Sequence, residues 1–433
     1  MRLAPLLALS GWLLLAWMSR RPPTGLVWWL LGVLGVQWVL AVLVWRQSPP
    51  TAGWRWITWG VVFRVVGLFA LPILEDDHFR FLWDGRMFAQ TGNPYASAPS
   101  EHFADATLAP NFAAILDQIN YPHVATIYGP VMQLGFLLSY LVAPAALWPW
   151  KLLLLLADVA LLLMLRALGK SEIGQRAALF AAWCPLSIFE TAFNAHPDAL
   201  AVSLMTAALL ARQSNRDALL GLLCGIAVSA KIFVLLLVPF LLWRRRWKAC
   251  VWGAATMLAC YAPFLLQGGL AEFEGLRTFA REWEFNSSGY ALLTQGFGPV
   301  LARPLAGLLL GIGWIALLYS WAVPSERRDS LPPGLFVFGL FFFLSPTFNP
   351  WYALWLLPFI SLQPTLTGMT ALAVVSMSYI TRQNLGQGVL DAFAHPAWVR
   401  PVEFGLIALA LIVELCRLRQ RKPVKVTIDR RAY

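Results

Sequence analysis

The sequence predicts an all-α, polytopic transmembrane bundle of about 12 to 13 spans, with amphipathic juxtamembrane helices in its first large extracytoplasmic loop. Three observations predict this class. Hydrophobic residues make up 59% of the 433-residue chain, and the mean hydropathy is +0.64. Several apolar runs reach about twenty residues, which is long enough for a helix to cross a bilayer. The 22 tryptophans suit side chains that lie at the level of the lipid headgroups.

The first three spans are predicted at residues 3–18, 26–45 and 56–74. A short basic start before an apolar run also occurs in cleaved signal peptides. No convincing small-x-small cleavage site follows, so we expect a retained first helix. The third span carries Arg64 in its middle. Because a charge is costly at that depth, we expect Arg64 either to snorkel towards the surface or to pair with an acid from another helix.

The densest cluster of charges follows the third span, at residues 75–95. Its pattern predicts an amphipathic helix over residues 76–90 that lies at the membrane surface. Gly92 is predicted to end this helix, with Pro94 just beyond it. Helical spacing places three charged residues on one face, namely Asp77, Arg80 and Asp84.

A polar loop continues to about residue 126, and its length indicates a function beyond connection. A helix is predicted to start at Gly129 and Pro130. Later spans are predicted near residues 152–168, 176–193, 199–211, 219–228, 232–243, 251–266, 300–321, 335–344, 351–362, 366–379 and 404–415. Simple alternation does not place every loop on its expected side, so one segment between residues 126 and 211 is expected to be re-entrant or broken.

The formal net charge is +11. An excess of Lys and Arg in cytoplasmic loops explains such a charge, and a site for an anionic lipid-phosphate substrate could add to it. No basic groove or motif indicates nucleic acid. Three basic clusters are predicted to be cytoplasmic: Arg166 with Lys170 and Arg176, Arg244 to Arg246 with Lys248, and the tail at 419–433. Asp77 then lies outside the cytoplasm. The five cysteines have no CxxC spacing, which predicts small buried hydrophobic side chains and not ligands or disulfides.

Two adjacent acids, Asp76 and Asp77, are the catalytic candidates. A carboxylate at a membrane surface can take the proton of a hydroxyl nucleophile within hydrogen-bonding reach. Acids at a helix N-terminus also act as caps, and they favour the positive end of the helix dipole. The acids alone leave both interpretations open. No metal site is predicted, because a hard divalent cation needs more oxygen ligands than these two acids supply.

Other polar clusters interrupt the apolar pattern. Glu190, His196 and Asp198 end one span, where they could meet water or contact a sugar or phosphate. Lys231 could snorkel or neutralise a lipid phosphate. The remaining candidates are Arg281, Trp283 and Asn286 in a loop of alternating charge and aromatic character, Trp351 and Tyr352 beside a predicted helix break, and the late arginine Arg382. An ordinary amphipathic surface helix would look similar to the loop at 277–286.

Several sequence blocks occur in a recognisable order. They are DDHFRFLWDGR with GNPY, Tyr121-Pro122-His123 with Thr126 to Pro130, WCPLSIFETAFNAHPDAL, AREWEFNSSGYALL and NPWYALWLLP. Together these blocks resemble the C-type, polytopic glycosyltransferases that use polyprenyl-phosphate sugars. The likeness is greatest to the bacterial and mycobacterial mannosyltransferases that depend on polyprenyl-phosphate mannose. It covers about residues 74–358.

The resemblance implies transfer of a hexose, with mannose expected, from a polyprenyl-phosphate donor to a lipid or glycan acceptor on the extracytoplasmic face, with inversion. It implies an aspartate general base, for which Asp77 is favoured over Asp76. No cofactor is expected; the two adjacent acids could hold a divalent cation, but nothing in the sequence indicates one. The expected location is the bacterial inner membrane, with a single domain at 1–418 and extracytoplasmic loops at 75–125 and 268–298. The substrate-binding candidates are Arg80, Asp84, Arg86, Tyr128, Glu190, His196, Asp198, Lys231, Arg281, Trp283, Asn286, Trp351, Tyr352 and Arg382.

Two rival functions stay open. A transporter or flippase of lipid-linked glycans would also need many spans and basic loops. It predicts inverted repeats with paired broken helices, and the sequence contains no convincing internal repeat. A structural subunit of an envelope-assembly complex would leave Asp77 replaceable.

Overall fold

The computed structural model describes residues 3–49, 53–169, 171–243, 247–269, 273–323, 331–387 and 391–420. Within these ranges the chain forms 19 α-helices and no β-strand, which confirms the predicted all-α class. The first ten helices are α1 (Ala4–Arg20), α2 (Leu26–Gln47), α3 (Gly53–Leu68), α4 (Asp77–Thr91), α5 (Pro110–Leu116), α6 (Pro130–Val142), α7 (Trp148–Gly169), α8 (Ser171–Trp183), α9 (Pro185–Ser187) and α10 (Asp198–Gln213).

The second half of the chain is also helical. Its helices are α11 (Asp217–Ala230), α12 (Val238–Leu242), α13 (Trp247–Gly268), α14 (Glu274–Glu282), α15 (Gly289–Ala322), α16 (Gly334–Leu344), α17 (Leu357–Leu362), α18 (Leu366–Val374) and α19 (Val399–Gln420). Short 3₁₀ segments lie at Pro99–His102, Ile232–Leu236, Pro350–Leu356 and Val375–Tyr379, and a π-helical segment lies at Ile188–Phe193.

Among the described residues, four helices are long and apolar enough to cross a bilayer: α2, α7, α13 and α15. Five shorter apolar helical stretches lie at Pro130–Val142, Asp217–Ala230, Gly334–Leu344, Pro350–Leu362 and Leu366–Tyr379. The protein is therefore a multi-pass membrane protein. The division into one domain and two extracytoplasmic loops stays a prediction.

The third span ends earlier than the sequence pattern suggested. Helix α3 ends at Leu68 and not at residue 74. Pro72 explains the difference, because proline has no backbone N–H and its ring clashes with the preceding helical turn. Helix α4 then begins at Asp77 and ends at Thr91. Gly92 follows with a φ of 73°, which confirms the predicted stop.

Helix α4 is fixed to the bundle by α6. Gly85 lies so close to the Phe136 carbonyl that a Cβ atom at this position would overlap with it. One turn earlier, the rings of Phe81 and Phe136 stack with their centroids 5.0 Å apart. Helix α6 begins at Pro130, as predicted. The charged segment is therefore held in one place, although most of its polar residues lie outside any span.

The predicted breaks in the helical pattern are present. Helix α8 ends at Trp183, and Cys184 is extended before the short α9 and the π-helical segment. A second break separates α16, which ends at Leu344, from the 3₁₀ turn that starts at Pro350. Irregular backbone of this kind is tolerated in a membrane only where it is buried or lines a cavity.

Arg64 is completely buried and forms an ion pair with Asp158 of α7, with 2.6 Å between Nε and Oδ2. Its terminal nitrogens also donate to backbone carbonyls, at 2.7 Å to Ala182 and 3.1 Å to Ala181. Of the two alternatives for Arg64, pairing with an acid is therefore confirmed. The pair joins α3, α7 and the end of α8.

Two residues of the predicted cytoplasmic clusters lie at the end of α3 that is opposite the acids, whereas Arg20 donates to the Phe69 carbonyl at the acid end, at 2.7 Å. The guanidinium of Arg166 lies 4.0 Å from the ring centroid of Trp54, and that of Arg176 lies 5.1 Å from Trp45. Trp54 is near the start of α3, whereas the acids follow its end. Sixteen helical residues span about 24 Å. Other members of the predicted basic clusters, Lys170, Arg244 to Arg246 and residues 421–433 of the tail, lie outside the described residues.

All five cysteines are free. Cys184 and Cys224 are buried, as predicted, but Cys250 and Cys416 are exposed and Cys260 is half-buried. The prediction of burial is wrong for those three. Helix α13, which carries two of them, packs through only one face and leaves the rest of its apolar surface to the surroundings.

We expect Arg64→Met to destabilise the protein strongly, because it leaves the Asp158 carboxylate buried without its partner. Breaking a buried pair in this way costs about 3–5 kcal/mol. Thermal unfolding in detergent, followed by tryptophan fluorescence, measures the loss. Arg55→Met is the matched control, since Arg55 is exposed on the same helix. The double variant Arg64→Met/Asp158→Leu should recover most of the loss. An Arg64→Met protein as stable as Arg55→Met would contradict this account.

Candidate active site

A cavity of about 180 Å³, here called the first cavity, opens where α4 begins. It combines three kinds of side chain that a sugar-phosphate site needs: acids, cations and aromatic rings. The acids are Glu75, Asp76 and Asp77, the cations are Arg80 and Lys231, and the aromatic residues include Tyr128, Trp283, Trp351 and Tyr352.

The acids lie on the turn between α3 and α4. Asp76 accepts a hydrogen bond from the Asn120 side-chain amide at 2.6 Å. Asp77 is the first residue of α4, and within the described ranges its carboxylate receives no hydrogen bond from any other side chain or backbone N–H. Asp77 is therefore the acid with its oxygens free to accept a proton from a ligand.

Burial changes the proton affinity of the other two acids. Removal from water raises the pKa of Asp76 to about 6, and the negative charge of Asp77 adds to the increase. The pKa of Glu75 is raised well above its usual range by burial and then by the charge of Asp77.

Lys231 supplies the positive charge opposite the acids. It follows the last residue of α11 in an extended conformation, and its ammonium lies 3.1 Å from Asp198. Asp198 also accepts a hydrogen bond from the Trp355 indole at 2.7 Å, which fixes the carboxylate. Only 15% of the Lys231 side chain is exposed. The ring centroid of Tyr352 lies 5.0 Å from the ammonium. The cation is therefore held in place and partly desolvated.

A glycine brings the next wall of the cavity close to Lys231. Gly129 lies so near the Ser229 carbonyl that a Cβ atom there would overlap with it. The preceding residue, Tyr128, consequently lies beside Lys231, with 6.0 Å between its ring centroid and the ammonium. Arg80 holds the adjoining loop by donating to the Val124 carbonyl at 3.0 Å.

A buried polar network supports Trp351. The ring of His196 stacks on Trp351 with centroids 3.7 Å apart. His196 Nδ1 lies 2.9 Å from Glu190, which accepts a hydrogen bond from the Tyr379 hydroxyl at 3.0 Å. Asn194 donates to the same hydroxyl at 3.0 Å. The π-helical segment supplies Glu190, so the irregular helix places a carboxylate directly beneath the cavity wall.

The segment between α14 and α15 is hydrogen-bonded to the break that follows α16. The Phe285 N–H donates to the Pro346 carbonyl at 3.0 Å, and the Phe348 N–H donates to the Phe285 carbonyl at 2.8 Å. These bonds form an isolated parallel bridge between Phe285 and Thr347. Trp283, which precedes the bridge, packs on Tyr121 with centroids 4.2 Å apart.

The structure separates the predicted site residues into three groups. Eight line the first cavity: Asp76, Asp77, Arg80, Tyr128, Lys231, Trp283, Trp351 and Tyr352. Three lie behind it: His196 and Asp198 contact the lining residues Trp351 and Lys231, and Glu190 is the partner of His196. The others line neither this cavity nor the larger one described below: Asp84, Arg86, Arg281, Asn286 and Arg382.

Each of those five residues has a different environment. Asp84 is buried and accepts hydrogen bonds from Thr126 and Gln133, and the Arg86 guanidinium lies 5.3 Å from the Trp83 ring centroid. Asn286 donates to Glu403 at 2.9 Å. Arg281 is exposed, and Arg382 lies 3.7 Å from Asp391.

Several lining residues are absent from the predicted site. Glu75 directly precedes the two predicted catalytic acids, so its position in the sequence could have indicated it. Asn120 and Tyr121 belong to the polar loop for which the sequence predicted a function. Phe285 lies in the predicted aromatic loop. Phe393 carries no signal of its own, because it comes from a distant part of the chain and is apolar.

The same three acids could hold a cation. One oxygen from each of Glu75, Asp76 and Asp77 lies within 4.8 Å of the others. Hard divalent cations take six or more oxygen ligands, so substrate oxygens or water would have to supply the rest. The prediction of a metal-free site stays a prediction.

A larger cavity of about 660 Å³, here called the second cavity, adjoins the first. It lies between the α1–α2 connection and residues 378–386. The two cavities share four lining residues, Glu75, Asp76, Phe285 and Phe393. The acids therefore form part of the boundary between two spaces.

Comparison with known proteins places this site in a family. The model of glycosyltransferase family 87 matches residues 126–347, about half of the chain. The protein belongs to glycosyltransferase family 87. No curated protein matches the sequence, and no solved structure matches it. The family match includes Tyr128, Lys231 and Trp283 but begins after the acids. Membership of the family therefore establishes a membrane glycosyltransferase and leaves the role of the acids to be argued from their geometry.

The raised pKa of Asp76 predicts a pH-dependent stability difference. An unfolded Asp has a pKa of about 3.9, so ionisation of folded Asp76 costs stability as the pH rises from about 4 to 6. We expect Asp76→Asn to be more stable than wild type at pH 7.5. The gain should be at most about 1 kcal/mol, because solvent screens a partly exposed group. It should vanish as the pH falls to about 4.

Thermal unfolding of both proteins across this pH range measures the effect. Asp117→Asn serves as the control, since Asp117 is exposed on the same loop. A stability gain of Asp76→Asn that persists unchanged at pH 4 would rule out ionisation of Asp76 as its cause.

Proposed function

We propose that this family 87 enzyme transfers a hexose, with mannose expected, from a polyprenyl-phosphate donor to a lipid or glycan acceptor, with inversion at the anomeric carbon. One observation carries the proposal: an Asp77 carboxylate that accepts no hydrogen bond from the described residues and a largely buried Lys231 ammonium face the same cavity. A transferase needs a base for the nucleophile and a cation for the leaving group.

Asp77 is the proposed general base. It takes the proton of the acceptor hydroxyl while that oxygen forms a bond to the anomeric carbon. The bond from this carbon to the phosphate oxygen breaks, and polyprenyl phosphate leaves with the electron pair. Asp76 is the alternative base. The Asn120 side-chain amide already donates to its carboxylate, which leaves that group less free to accept the proton of an acceptor hydroxyl.

Lys231 is the proposed partner of the leaving phosphate. Negative charge grows on the phosphate as the glycosidic bond breaks, and a preorganised cation in a desolvated site stabilises that charge. The Trp355–Asp198–Lys231 chain supplies the preorganisation, because the indole fixes the carboxylate and the carboxylate fixes the ammonium. The donor's polyprenyl tail would lie between helices and open to the bilayer.

The aromatic walls suit a sugar ring. Trp283 and Trp351 offer flat apolar faces, and each is held by a second ring, Tyr121 or His196. Rings with fixed orientation can stack on the apolar face of a hexose while nearby polar groups bind its hydroxyls. This arrangement supports a carbohydrate and does not select mannose over other hexoses.

The distribution of basic residues supports an extracytoplasmic active site. Arg166 and Arg176 lie near the start of α3, and the acids follow its end. Because basic residues concentrate on the cytoplasmic side, the acids would face away from the cytoplasm. We propose the bacterial inner membrane as the location.

Asp77→Asn should lower the transfer rate about 10²–10⁴-fold, because it removes the proton acceptor and keeps the shape of the side chain. The assay uses purified protein in nanodiscs, radiolabelled polyprenyl-phosphate mannose and a lipid extract from the host. Asp117→Asn is the control and should transfer at the wild-type rate.

Two other results would change the proposal. Loss of transfer in Asp76→Asn with full transfer in Asp77→Asn would make Asp76 the base. Wild-type protein that transfers from none of the mannosyl, glucosyl or aminoarabinosyl donors would refute the proposed donor class and favour transport of lipid-linked glycans.

Lys231→Met should weaken donor binding at least tenfold, since a hydrogen bond to a charged group contributes about 1.5–3 kcal/mol. Equilibrium binding of labelled polyprenyl-phosphate mannose measures the effect. Lys248→Met is the matched control, because Lys248 is an exposed lysine outside the cavity. Lys231→Arg keeps the positive charge and should retain most of the affinity. Wild-type binding by a folded Lys231→Met protein would exclude Lys231 from the phosphate site.

A further inference from the structure

The first cavity is too small for both substrates. Ordinary small-molecule sites occupy about 300–1,000 Å³, whereas the first cavity measures about 180 Å³ and the second about 660 Å³. A transfer reaction must bring two molecules together at one reacting atom. The space for the second molecule therefore has to adjoin the first cavity at the acids, and the second cavity does so through Glu75 and Asp76.

The chemistry of the two linings differs. The first cavity contains Lys231 and Arg80. No Lys, Arg or His side chain is among the described residues that line the second cavity, and its charged groups are the two shared acids. A space bordered by carboxylates without a cation disfavours an anion.

Uncharged hydrogen-bonding groups line the second cavity instead. They are Thr24, Ser378, Thr381, Gln383 and Asn384, on the two segments that face each other across it. Trp28, Phe285 and Phe393 add aromatic surface. Hydroxyl and amide groups beside flat rings match a molecule with many hydroxyls and apolar ring faces.

We infer that the second cavity binds the acceptor, and that the part of the acceptor bound there is an uncharged carbohydrate. This inference rests on the proposed function, because it assigns the second substrate of the same reaction. An acceptor sugar in the second cavity presents a hydroxyl to the boundary formed by Glu75 and Asp76. Asp77, the next residue, lines the first cavity and not the second.

Substitution of Gln383 tests whether the second cavity binds the acceptor carbohydrate. The Gln383 side chain lines the second cavity, and its backbone N–H donates to the Ala392 carbonyl at 3.0 Å, a bond that does not depend on the side chain. Gln383→Trp fills space in the cavity, and Gln383→Ala removes a hydrogen-bonding group. Gln387→Trp is the matched control, since Gln387 is exposed in the same segment and does not line the cavity.

The first measurement needs no donor. Equilibrium dialysis of nanodisc-embedded protein against tritiated octyl mannoside, octyl glucoside and octyl galactoside measures binding of neutral carbohydrate. We expect at least one of them to bind wild type and Gln387→Trp equally. Binding should be at least tenfold weaker to Gln383→Trp and measurably weaker to Gln383→Ala. The 6-phosphate of the bound glycoside should bind wild type at least tenfold more weakly than the glycoside itself.

The second measurement uses labelled polyprenyl-phosphate mannose. Gln383→Trp should bind this donor as wild type does, while its transfer to a host lipid extract falls at least tenfold. Failure of the donor to bind or react with wild type would refute the proposed function, and the glycoside measurement would still be readable.

Three results would overturn the inference itself. They are failure of all three glycosides to bind wild type, equal glycoside binding by Gln383→Trp and wild type, and loss of donor binding in a folded Gln383→Trp protein. The last result would assign the second cavity to the donor.

Discussion

The buried Arg64–Asp158 pair is the constraint on which the position of the active site depends. A charge inside an apolar bundle is stable only when it has partners, and Arg64 finds them on α7 and at the end of α8. These contacts fix the position of α3 along its own axis. Because the acids follow α3 closely in the chain, the Arg64–Asp158 pair also fixes their position along the helix axis.

Further polar contacts carry this constraint to the turn before α4. The Lys151 ammonium donates to the carbonyls of Gly67 and Ala70, at 3.1 and 2.7 Å, where α3 ends. The Ile73 N–H donates to the Asn194 side chain at 2.9 Å. Asn194 also donates to Tyr379, which bonds Glu190. The acids are thus connected to the network behind Trp351, on the other side of the first cavity.

In this bundle the polar cavity lies where helices stop. Here Cys184 and the segment after Leu344 provide two such points, and the extended Lys231 after α11 provides a third. Each break releases backbone groups from the helix, and side chains or neighbouring segments then bind them. The family match covers the first two of these breaks in chain order and ends at residue 347 inside the third, whereas the acids come from a segment that precedes it. The helix breaks around the cavity and the acids that line it therefore come from different parts of the chain.

Local patterns predicted local structure well. The charged helix, its end at Gly92, the start at Pro130 and the helix breaks follow from residue types that act over a few positions. Pro72 could have corrected the end of the third span by the same reasoning. The sequence also suggested an acid partner for Arg64 but could not identify Asp158, because that contact depends on how helices pack.

Which residues lie close together in the folded chain was less predictable from the sequence. Helical spacing put Asp84 on one face with Asp77, yet Asp84 is drawn to Thr126 and Gln133 by packing of α4 on α6. Arg382 looked like a phosphate ligand, and the chain instead places it near Asp391. Phe393 reaches both cavities from an apolar, unremarkable stretch. Such positions are decided by contacts between distant segments, which no local pattern encodes.

The existing bond between Lys231 and Asp198 has a consequence for turnover. A phosphodiester carries one negative charge, whereas a phosphate monoester carries between one and two near neutral pH. Under the proposed function, an unpaired Lys231 would bind the spent lipid phosphate more tightly than the sugar donor and would slow the next cycle. Asp198 offsets part of the lysine's charge, so Lys231 could stabilise a growing charge during bond breaking without retaining the spent lipid. In the proposed reaction the pair would therefore limit product inhibition.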